Sequence, residues 1–494
     1  MLLFAALALF GWRYHWVEEA GTAERDGYAA QADQLLAGRL PHDPFRPLLF
    51  PAATAALAGL TGSTFAAARL LSNLSAAVLA WLAYATGKRL GGQAVGGWAM
   101  ALAAVNPNIW IIGQHASTDM FFAALSAAAL LAGLRYMQEA GVRAAAAAGL
   151  ALGLADFARS NALFLVPALL AAWWLAPGPR DRRLPHLAAA AGVCVLVLLP
   201  HWALRYAAFG NPFHDENWKN LAWKLHGYPD WSYLSRVPYA SGAAVIAESP
   251  AAVLEAGLAE LRRFAAEGAP QLLGTWGHVA LFLAGTAWAL RHRWRPAAWL
   301  LGSGLVFLAA AAVLFFTWGR LLLLLLPGWY ALAFSPMGGA SRNGLAPGPA
   351  RSDRFRLVAA GAGAALVLLL AVKTFAFRLP AFVARHPYVE VAALRHLDAT
   401  LPPGGELAGT SPFLGRYLRH PYVAVPDAFG AEVADPGLYY TKLRRLLAGS
   451  RVAYLVAGSV DIRDRPASLL GAAAPVPWLQ PAGRYRGVSV WRVR

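Results

Sequence analysis

The most regular feature of the chain is a series of long apolar stretches separated by short polar segments. A helix that crosses a bilayer needs about 20 residues, and most of these stretches approach that length. Two stretches of roughly 16 residues would span only about 24 Å, so we expect their ends in a thinned or protein-lined region. The pattern predicts about eleven transmembrane helices, at residues 1–17, 66–87, 93–113, 119–136, 144–159, 161–176, 186–204, 274–291, 297–317, 319–336 and 357–376.

Lys and Arg are concentrated in alternate segments between these stretches. The basic segments are 87–92, 135–143, 177–186, 291–296 and 341–356. Because basic loops stay in the cytoplasm, this alternation places the N-terminus in the cytoplasm and the C-terminus outside. The segments predicted to face the extracytoplasmic side are 18–65, 113–119, 159–160, 204–273 and 377–494.

Composition agrees with a membrane protein. The 494-residue chain is 58% apolar and 14% charged, whereas soluble domains are about 25% charged. A net charge of +17 fits membrane orientation and anionic lipid headgroups better than nucleic-acid binding. The one cysteine, Cys194, lies in an apolar run, so a disulfide framework and a CxxC metal site are excluded. We expect a multi-pass protein of the plasma (inner) membrane.

The two ends of the chain differ in character. The start, MLLFAALALFGWR, lacks a basic signal-peptide region and is short for a span, so we expect a first helix with a clipped or misassigned start. Residues 377–494 alternate helical and Val-rich strand patterns, which predicts a small extracytoplasmic α/β domain after a membrane domain at 1–376. No residue of this second domain has a catalytic pattern.

Five charged residues lie at the predicted outer ends of the spans. Two are carboxylates and three are guanidiniums: Asp26, Asp119, Arg159, Arg205 and Arg320. Arg binds phosphate as a bidentate fork, a carboxylate near an alcohol can act as a general base, and two carboxylates can hold a divalent cation. The set indicates a site that handles an anion and moves a proton.

Each residue also has a purely structural interpretation. Asp119 follows Ser-Thr and could cap the helix that begins there. Each arginine could mark only the membrane interface, and Asp26 could be an ordinary loop acid. Asp43 lies between prolines, which suits a turn. His42 and His115 have no HxxxH-type partner, which disfavours either as a metal ligand.

The first 215 residues resemble a known family in the order and spacing of their motifs. The segments ARLLSNL (68–74), NPNIWIIGQHASTDMFFA (106–123), GLALGLADFARSNALFLVPALL (149–170) and LRYAAFGNPF (204–213) carry part of the resemblance. Gly319 and Arg320, before an apolar run, also fit. The first outer loop carries the rest, at Asp26, Tyr28, Ala32, Leu35, Gly38, Pro41, Asp43, Pro44, Arg46, Pro47, Leu48 and Pro51. The chain resembles polyprenyl-phosphate-sugar glycosyltransferases of the GT-C fold, the relatives of protein O-mannosyltransferases and of the lipid A aminoarabinose transferase.

The resemblance implies a site on the outer face. It implies that Asp26 is the catalytic aspartate of the first outer loop and that Asp119 assists it or binds a metal. Many members have a second acid directly after the first, but Gly27 stands there in this chain, which weakens a metal-binding pair. Arg320, Arg205 and Arg159 would hold the donor phosphate, and Tyr28, Asp43 and Arg46 would belong to the donor or acceptor loop.

The implied reaction transfers a pentose or hexose from a polyprenyl phosphate with inversion. The acceptor would be a glycolipid, a polysaccharide or a protein. No cofactor is certain, and a divalent metal at Asp26 and Asp119 stays open. The chain has no GxxxxGK phosphate loop, which is consistent with a lipid donor.

Two other functions compete with this one. A transporter or lipid flippase would show repeats and broken helices near the midplane, and no clear repeat is present. A scaffold whose outer domain binds a partner would not require Asp26, Asp119 and Arg320 together. The aromatic segment 214–234 could stack on sugars or form an interfacial aromatic belt.

Overall fold

The structure is a computed structural model of the whole chain. Its description covers residues 2–13, 27–41, 43, 45–177, 180–226, 237, 239–317, 319–338, 349–384, 389–401, 404–409, 418–425, 435–457, 476–485 and 488–494.

Helices account for most of the chain up to residue 384. In the first part these are α1 (Leu2–Arg13), α2 (Tyr28–Leu36), α3 (Leu49–Thr61), α4 (Thr64–Gly91), α5 (Gln93–Ala104), α6 (Pro107–Ile112), α7 (Asp119–Glu139), α8 (Val142–Ala158), α9 (Val166–Leu175) and α10 (Arg180–Phe209). A 3₁₀ helix, Ser160–Leu165, connects α8 to α9.

The second part contains shorter helices around a buried core. These are α11 (Lys219–His226), α12 (Gly242–Glu248), α13 (Pro250–Arg263), α14 (Ala269–Leu273), α15 (Trp276–His292), α16 (Trp294–Leu314), α17 (Leu326–Ala333), α18 (Pro349–Val372) and α19 (Leu379–Ala384). Two π-helical turns, Phe264–Gly268 and Lys373–Arg378, join α13 to α14 and α18 to α19. Three 3₁₀ turns, Gly319–Leu321, Leu323–Leu325 and Ser335–Met337, flank α17.

The predicted fold class is confirmed as a mostly helical membrane protein, but not the count of eleven spans. In the described part of the chain, five helices are long and apolar enough to cross a membrane: Thr64–Gly91, Asp119–Glu139, Arg183–Phe209, Trp294–Leu314 and Ala360–Phe382. A sixth candidate is the bent pair Gly242–Glu248 and Pro250–Leu273. Several predicted spans are shorter or broken; the stretch 93–113, for example, divides into α5 and α6 at Asn106, directly before Pro107.

The core of the bundle depends on close helix contact and on a run of leucines. Leu321–Leu326 are each at most 2% exposed. α4 and α5 approach so closely that a Cβ on Gly87 would lie 2.9 Å from the Gly96 Cα. Small residues at such crossings favour dispersion contacts, which drive helix association where the surrounding solvent is itself apolar.

The described residues of the C-terminal part form a five-stranded mixed sheet. Its elements are α20 (Val389–Thr400), β1 (Glu406–Gly409), β2 (Tyr422–Ala424), α21 (Pro436–Leu447), β3 (Val452–Ala457), β4 (Leu479–Tyr485) and β5 (Val488–Val493). The strand order is β2-β1-β3-β5-β4, with β2, β1 and β3 parallel and the other pairs antiparallel. Helical structure continues through Ala384, so the domain boundary after residue 376 stays a prediction.

Asp398 of α20 joins this helix to the segment before β2. Its carboxylate accepts hydrogen bonds from the backbone N–H groups of Arg419 and His420 and contacts the His420 ring Nδ1 at 2.9 Å. Burial alone would raise the pKa of Asp398, but these hydrogen bonds outweigh burial and lower the pKa below its ordinary value. Asp398 therefore has a structural role in the C-terminal part of the chain.

A buried polar cluster stabilises the break between α5 and α6. Asn106 is 0% exposed; its Oδ1 accepts the backbone N–H of Asn108 at 2.8 Å, which caps α6. Its Nδ2 donates to Leu272 O at 2.8 Å and to Tyr330 Oη at 2.6 Å. Tyr330 in turn donates to Leu273 O at 3.0 Å. One side chain therefore joins α6, α14 and α17.

We expect Asn106→Ala to destabilise the protein by about 1–3 kcal/mol, because it removes a cap and leaves buried polar groups without a partner. The measurement is the apparent Tm of the detergent-solubilised protein. The matched control is Asn108→Ala, since Asn108 Nδ2 also reaches a carbonyl of α14, Gln271 O at 2.8 Å, but from a less buried position. Equal Tm shifts for the two variants would contradict this role of Asn106.

Candidate active site

Asp26 is the predicted catalytic aspartate. Asp26 lies outside the described residues, as do His42 and Pro44. The described chain resumes at Gly27, whose φ of +75° is in the left-handed region, directly before α2. The role predicted for Asp26 therefore stays a prediction.

Asp119 is the centre of an ionic cluster at one end of the bundle. It is the first residue of α7 and is 0% exposed. Its Oδ1 accepts Arg159 Nη1 at 2.6 Å, and its Oδ2 accepts Ser117 Oγ at 3.0 Å. Arg320 Nη1 lies 3.5 Å from Oδ2. The N-cap position belongs to Thr118, whose side chain makes no capping bond, so the Asp119 carboxylate is engaged by guanidiniums rather than by capping.

Breaks in two other helices bring the arginines to this carboxylate. Arg159 is the residue at which α8 ends, in extended conformation, and its Nε donates to Asn161 Oδ1 at 3.3 Å. Thr118 Oγ1 donates to Ala158 O at 3.4 Å and so joins the start of α7 to the end of α8. Arg320 lies in the 3₁₀ turn that precedes the buried leucine run.

Asp43 organises a second cluster in the first loop. Its Oδ1 accepts the backbone N–H groups of Phe45 and Arg46 at 2.8 and 3.0 Å, which is the geometry of a turn. Its Oδ2 accepts Arg46 Nη1 and Gln31 Nε2, each at 2.8 Å. The Arg46 guanidinium lies 5.9 Å from the ring centre of Tyr28. Asp43 therefore forms a turn and also fixes a guanidinium.

Arg205 connects the end of α10 to this second cluster. It is 5% exposed and donates from Nη1 to Asp43 O at 2.8 Å. A small pocket with polar and apolar walls lies beside it; its lining is Pro41, Asp43, Arg46, Leu48, His201, Leu204, Arg205, Ala208 and Phe209. Asp215 and Glu216 also interact electrostatically with Arg205.

The two clusters differ in their charge balance. Among the described residues, Arg159 and Arg320 both contact the Asp119 carboxylate, whereas Asp43, Asp215 and Glu216 interact electrostatically with Arg205. Aromatic packing connects the two clusters, because Tyr28 contacts Phe50 at 5.5 Å between ring centres and Phe50 contacts Phe121 at 5.7 Å.

A buried hydrogen-bond network that the sequence analysis did not assign supports the start of α7. Arg69 Nη2 donates to Gln114 Oε1 at 3.2 Å, and Gln114 Nε2 donates to Asn73 Oδ1 at 2.9 Å. Ser72 Oγ donates to Ser117 O at 3.2 Å. The segment ARLLSNL indicates such a network, because its polar residues at positions 69, 72 and 73 share one face of an otherwise apolar helix.

A divalent metal at Asp119 stays a prediction. Both of the Asp119 oxygens already accept hydrogen bonds, from guanidiniums or from a hydroxyl. Among the described residues there is no group of three or more His, Cys, Asp or Glu side chains that could hold a metal ion. Asp26, the other predicted ligand, lies outside these residues.

The aromatic segment 214–234 is described only in part, up to residue 226. Trp223 packs edge-on against Phe316, with 5.4 Å between ring centres, and Lys219 lies 5.9 Å from the Trp218 ring centre. Trp223 therefore contacts the segment that precedes Arg320. Stacking of this loop on sugars stays a prediction.

Comparison with known proteins gives a consistent result. Residues 45–203 match the family model for dolichyl-phosphate-mannose-protein mannosyltransferase. ArnT from Cupriavidus metallidurans in the apo state has a similar structure, with 17% identity and a TM-score of 0.59 over 99% of this chain and 97% of that chain. Its form bound to undecaprenyl phosphate matches over the same shares, at the same identity, with a TM-score of 0.54. The Archaeoglobus fulgidus oligosaccharyltransferase in the apo form matches with 13% identity and a TM-score of 0.57, over 92% of this chain and 69% of that chain.

A sequence comparison with curated proteins gives no match. The family match and the fold nevertheless confirm the resemblance drawn from the sequence. The chain is similar to GT-C-fold glycosyltransferases that use polyprenyl-phosphate sugars, and it is a multi-pass membrane protein.

We expect Ser72→Ala to loosen the segment between α6 and α7, because it removes the hydrogen bond to Ser117 O. Hydrogen exchange of the amides at 115–118 should become faster than in the native protein. The matched control is Ser75→Ala on the same helix face of α4, since Ser75 is also buried but bonds only to Leu71 O, within its own helix. Unchanged exchange in Ser72→Ala would contradict a supporting role for this network.

Proposed function

We propose that this protein is an inverting glycosyltransferase that moves a sugar from a polyprenyl-phosphate donor to an acceptor on the extracytoplasmic side of the membrane. The observation that carries the proposal is the buried Asp119 carboxylate held between Arg159 and Arg320 at one end of a GT-C-like bundle. Such a cluster presents guanidinium donors to an anion in a region with little water. The family match over residues 45–203 supports the same reaction class.

The donor phosphate is assigned first to Arg159 and Arg320. A guanidinium carries five N–H donors, so each arginine can keep its bond to Asp119 and still donate to phosphate oxygens. Arg205 is the third candidate, beside the pocket formed with Arg46 and Asp43. The structure of ArnT with undecaprenyl phosphate supports a lipid phosphate as the ligand. The apolar part of the lipid would lie along the helices.

Asp26 is assigned as the general base. It removes the proton of the acceptor hydroxyl or amine while that atom attacks the anomeric carbon. The bond between that carbon and the phosphate oxygen breaks, and polyprenyl phosphate leaves with both electrons of the bond. Attack opposite the leaving group inverts the anomeric configuration. Asp119 is assigned the role of holding the arginines, because its oxygens are already engaged.

The charges at the two ends of one helix support the proposed sidedness. Asp119 begins α7, and Arg135, about 24 Å further along the axis at 1.5 Å per residue, lies near its other end with Glu139 and Arg89. The positive-inside rule assigns the Arg135 end to the cytoplasm. The Asp119 cluster would then face outward at the plasma (inner) membrane. A transporter would place such charges near the midplane instead.

We expect Asp26→Asn to abolish transfer, because an amide cannot accept the acceptor proton. The measurement is sugar transfer and donor hydrolysis by purified protein with a panel of synthetic polyprenyl-phosphate pentoses, hexoses and aminosugars. Glu24→Gln, two residues away in the same loop, is the control and should keep activity. Native-like turnover in Asp26→Asn would refute the assignment of the base, and no donor consumption by the native protein would favour transport or scaffolding.

We expect Arg320→Lys and Arg159→Lys to lower kcat/KM by about 100-fold, because an ammonium loses the forked geometry that binds carboxylate and phosphate together. Steady-state kinetics with the active donor give the value. Arg262→Lys is the control, since Arg262 is an exposed arginine of α13. If Lys at both positions supports native kcat/KM, the phosphate lies elsewhere, and Arg205→Lys would be tested next.

A further inference from the structure

The segment that carries Arg320 is fixed differently on its two sides. After Arg320 the chain enters the leucine run Leu321–Leu326, which is at most 2% exposed. Before Arg320, α16 ends at Leu314, and residues 315–317 form neither helix nor strand. The position of the guanidinium therefore depends on what holds the chain between Leu314 and Arg320.

Glu260 of α13 holds this part of the chain at Thr317. Its Oε2 accepts the Thr317 hydroxyl at 2.7 Å and the Thr317 backbone N–H at 3.3 Å. Thr317 is 6% exposed and the Glu260 side chain 14%. Arg263, one turn further along α13, donates Nη2 to both Glu260 oxygens at 2.7 Å, which compensates the negative charge. Hydrogen bonds to an ionised acceptor are stronger than neutral ones.

Three more contacts fix α11 and α13 to the same place. The Trp223 ring of α11 packs edge-on against Phe316. Lys224 Nζ donates to Ala312 O, one of the last carbonyls of α16. Gly257 of α13 lies so close to α16 that a Cβ there would be 2.9 Å from Val313 Cγ2. Glu260 therefore acts from a helix that is itself held against α16.

We propose that Glu260 is a positioning residue for Arg320. The Glu260–Thr317 hydrogen bonds set the backbone just before Arg320, and the guanidinium is thereby kept near Asp119, where the donor phosphate binds. In this role Glu260 acts through Thr317 and not by contact with a substrate. This inference rests on the proposed function for its effect on catalysis, but not for its effect on the segment 315–321.

The test uses the full-length protein in lipid nanodiscs. Glu260→Ala removes both hydrogen bonds, and Thr317→Val removes the hydroxyl while it keeps the backbone N–H. Glu260→Gln retains an acceptor oxygen for Thr317 without the charge. Arg263→Ala removes only the charge partner, whose side chain is 51% exposed. Glu255→Ala is the matched control, an exposed carboxylate of the same helix.

We expect hydrogen exchange and kcat/KM to change in the same variants. Hydrogen exchange of the 315–322 amides should become faster in Glu260→Ala and Thr317→Val. In the same variants kcat/KM for the donor should fall about 10- to 100-fold, because small displacements of a binding group cost that much. In Glu260→Gln, amide exchange at 315–322 and kcat/KM should both stay closer to the native values than in Glu260→Ala. In Arg263→Ala and Glu255→Ala, both quantities should stay within about twofold of those of the native protein. On an Arg320→Lys background, the loss caused by Glu260→Ala should shrink to less than about twofold.

Three results would overturn the inference. The first is unchanged exchange at 315–322 in Glu260→Ala and Thr317→Val. The second is faster exchange with native kcat/KM, since the segment would then be held without consequence for Arg320. The third is a loss that adds fully to that of Arg320→Lys, which indicates a general structural defect. Failure of the proposed function is distinguishable from all three, because the native protein itself would then consume no donor while the exchange experiment still reports on Glu260.

Discussion

The candidate site depends on the burial of one carboxylate. Asp119 is fully buried at the start of an apolar helix, where an unpaired charge would cost several kcal/mol. Arg159 and Arg320 compensate that charge. Removal of either arginine would therefore leave the buried Asp119 carboxylate with less charge compensation. The same ionic interaction also fixes two arginines that come from distant parts of the chain. Stability and binding geometry therefore depend on the same contacts.

This ionic cluster is possible only because several helices break at one end of the bundle. α8 ends at Arg159, and α7 begins at Asp119. The chain between α16 and α17 passes through 3₁₀ turns that include Arg320. Irregular backbone is tolerated at membrane depth where it is buried in protein or lines a polar cavity. Side-chain hydrogen bonds satisfy part of this backbone, as Ser72 does at Ser117 O and Glu260 at Thr317 N.

The sequence predicted the fold class and the residues of the cluster, but not how they pair. Hydropathy and basic loops indicate helices and their ends, and Asp119, Arg159 and Arg320 stood out because charge is rare at such positions. Pairing depends on tertiary contacts across 40 and 201 positions of the chain, which no local pattern encodes. Glu260 was missed because a Glu among other charged residues of an amphipathic helix has the pattern of an exposed face. The count of eleven spans is not confirmed, in part because the stretch 93–113 divides at Asn106 into two short helices.

The engagement of Asp119 has a consequence for the division of roles within the proposed reaction. A carboxylate that already accepts hydrogen bonds from two guanidiniums and a hydroxyl is a weak proton acceptor, because protonation would sacrifice those interactions. Its contribution is greatest if it keeps the arginines in place before the donor arrives, so that little reorganisation is needed as charge develops on the leaving phosphate. The base must then be a different carboxylate. Asp26, which precedes Gly27 in the chain, stays the predicted base on its chemistry and on the family resemblance.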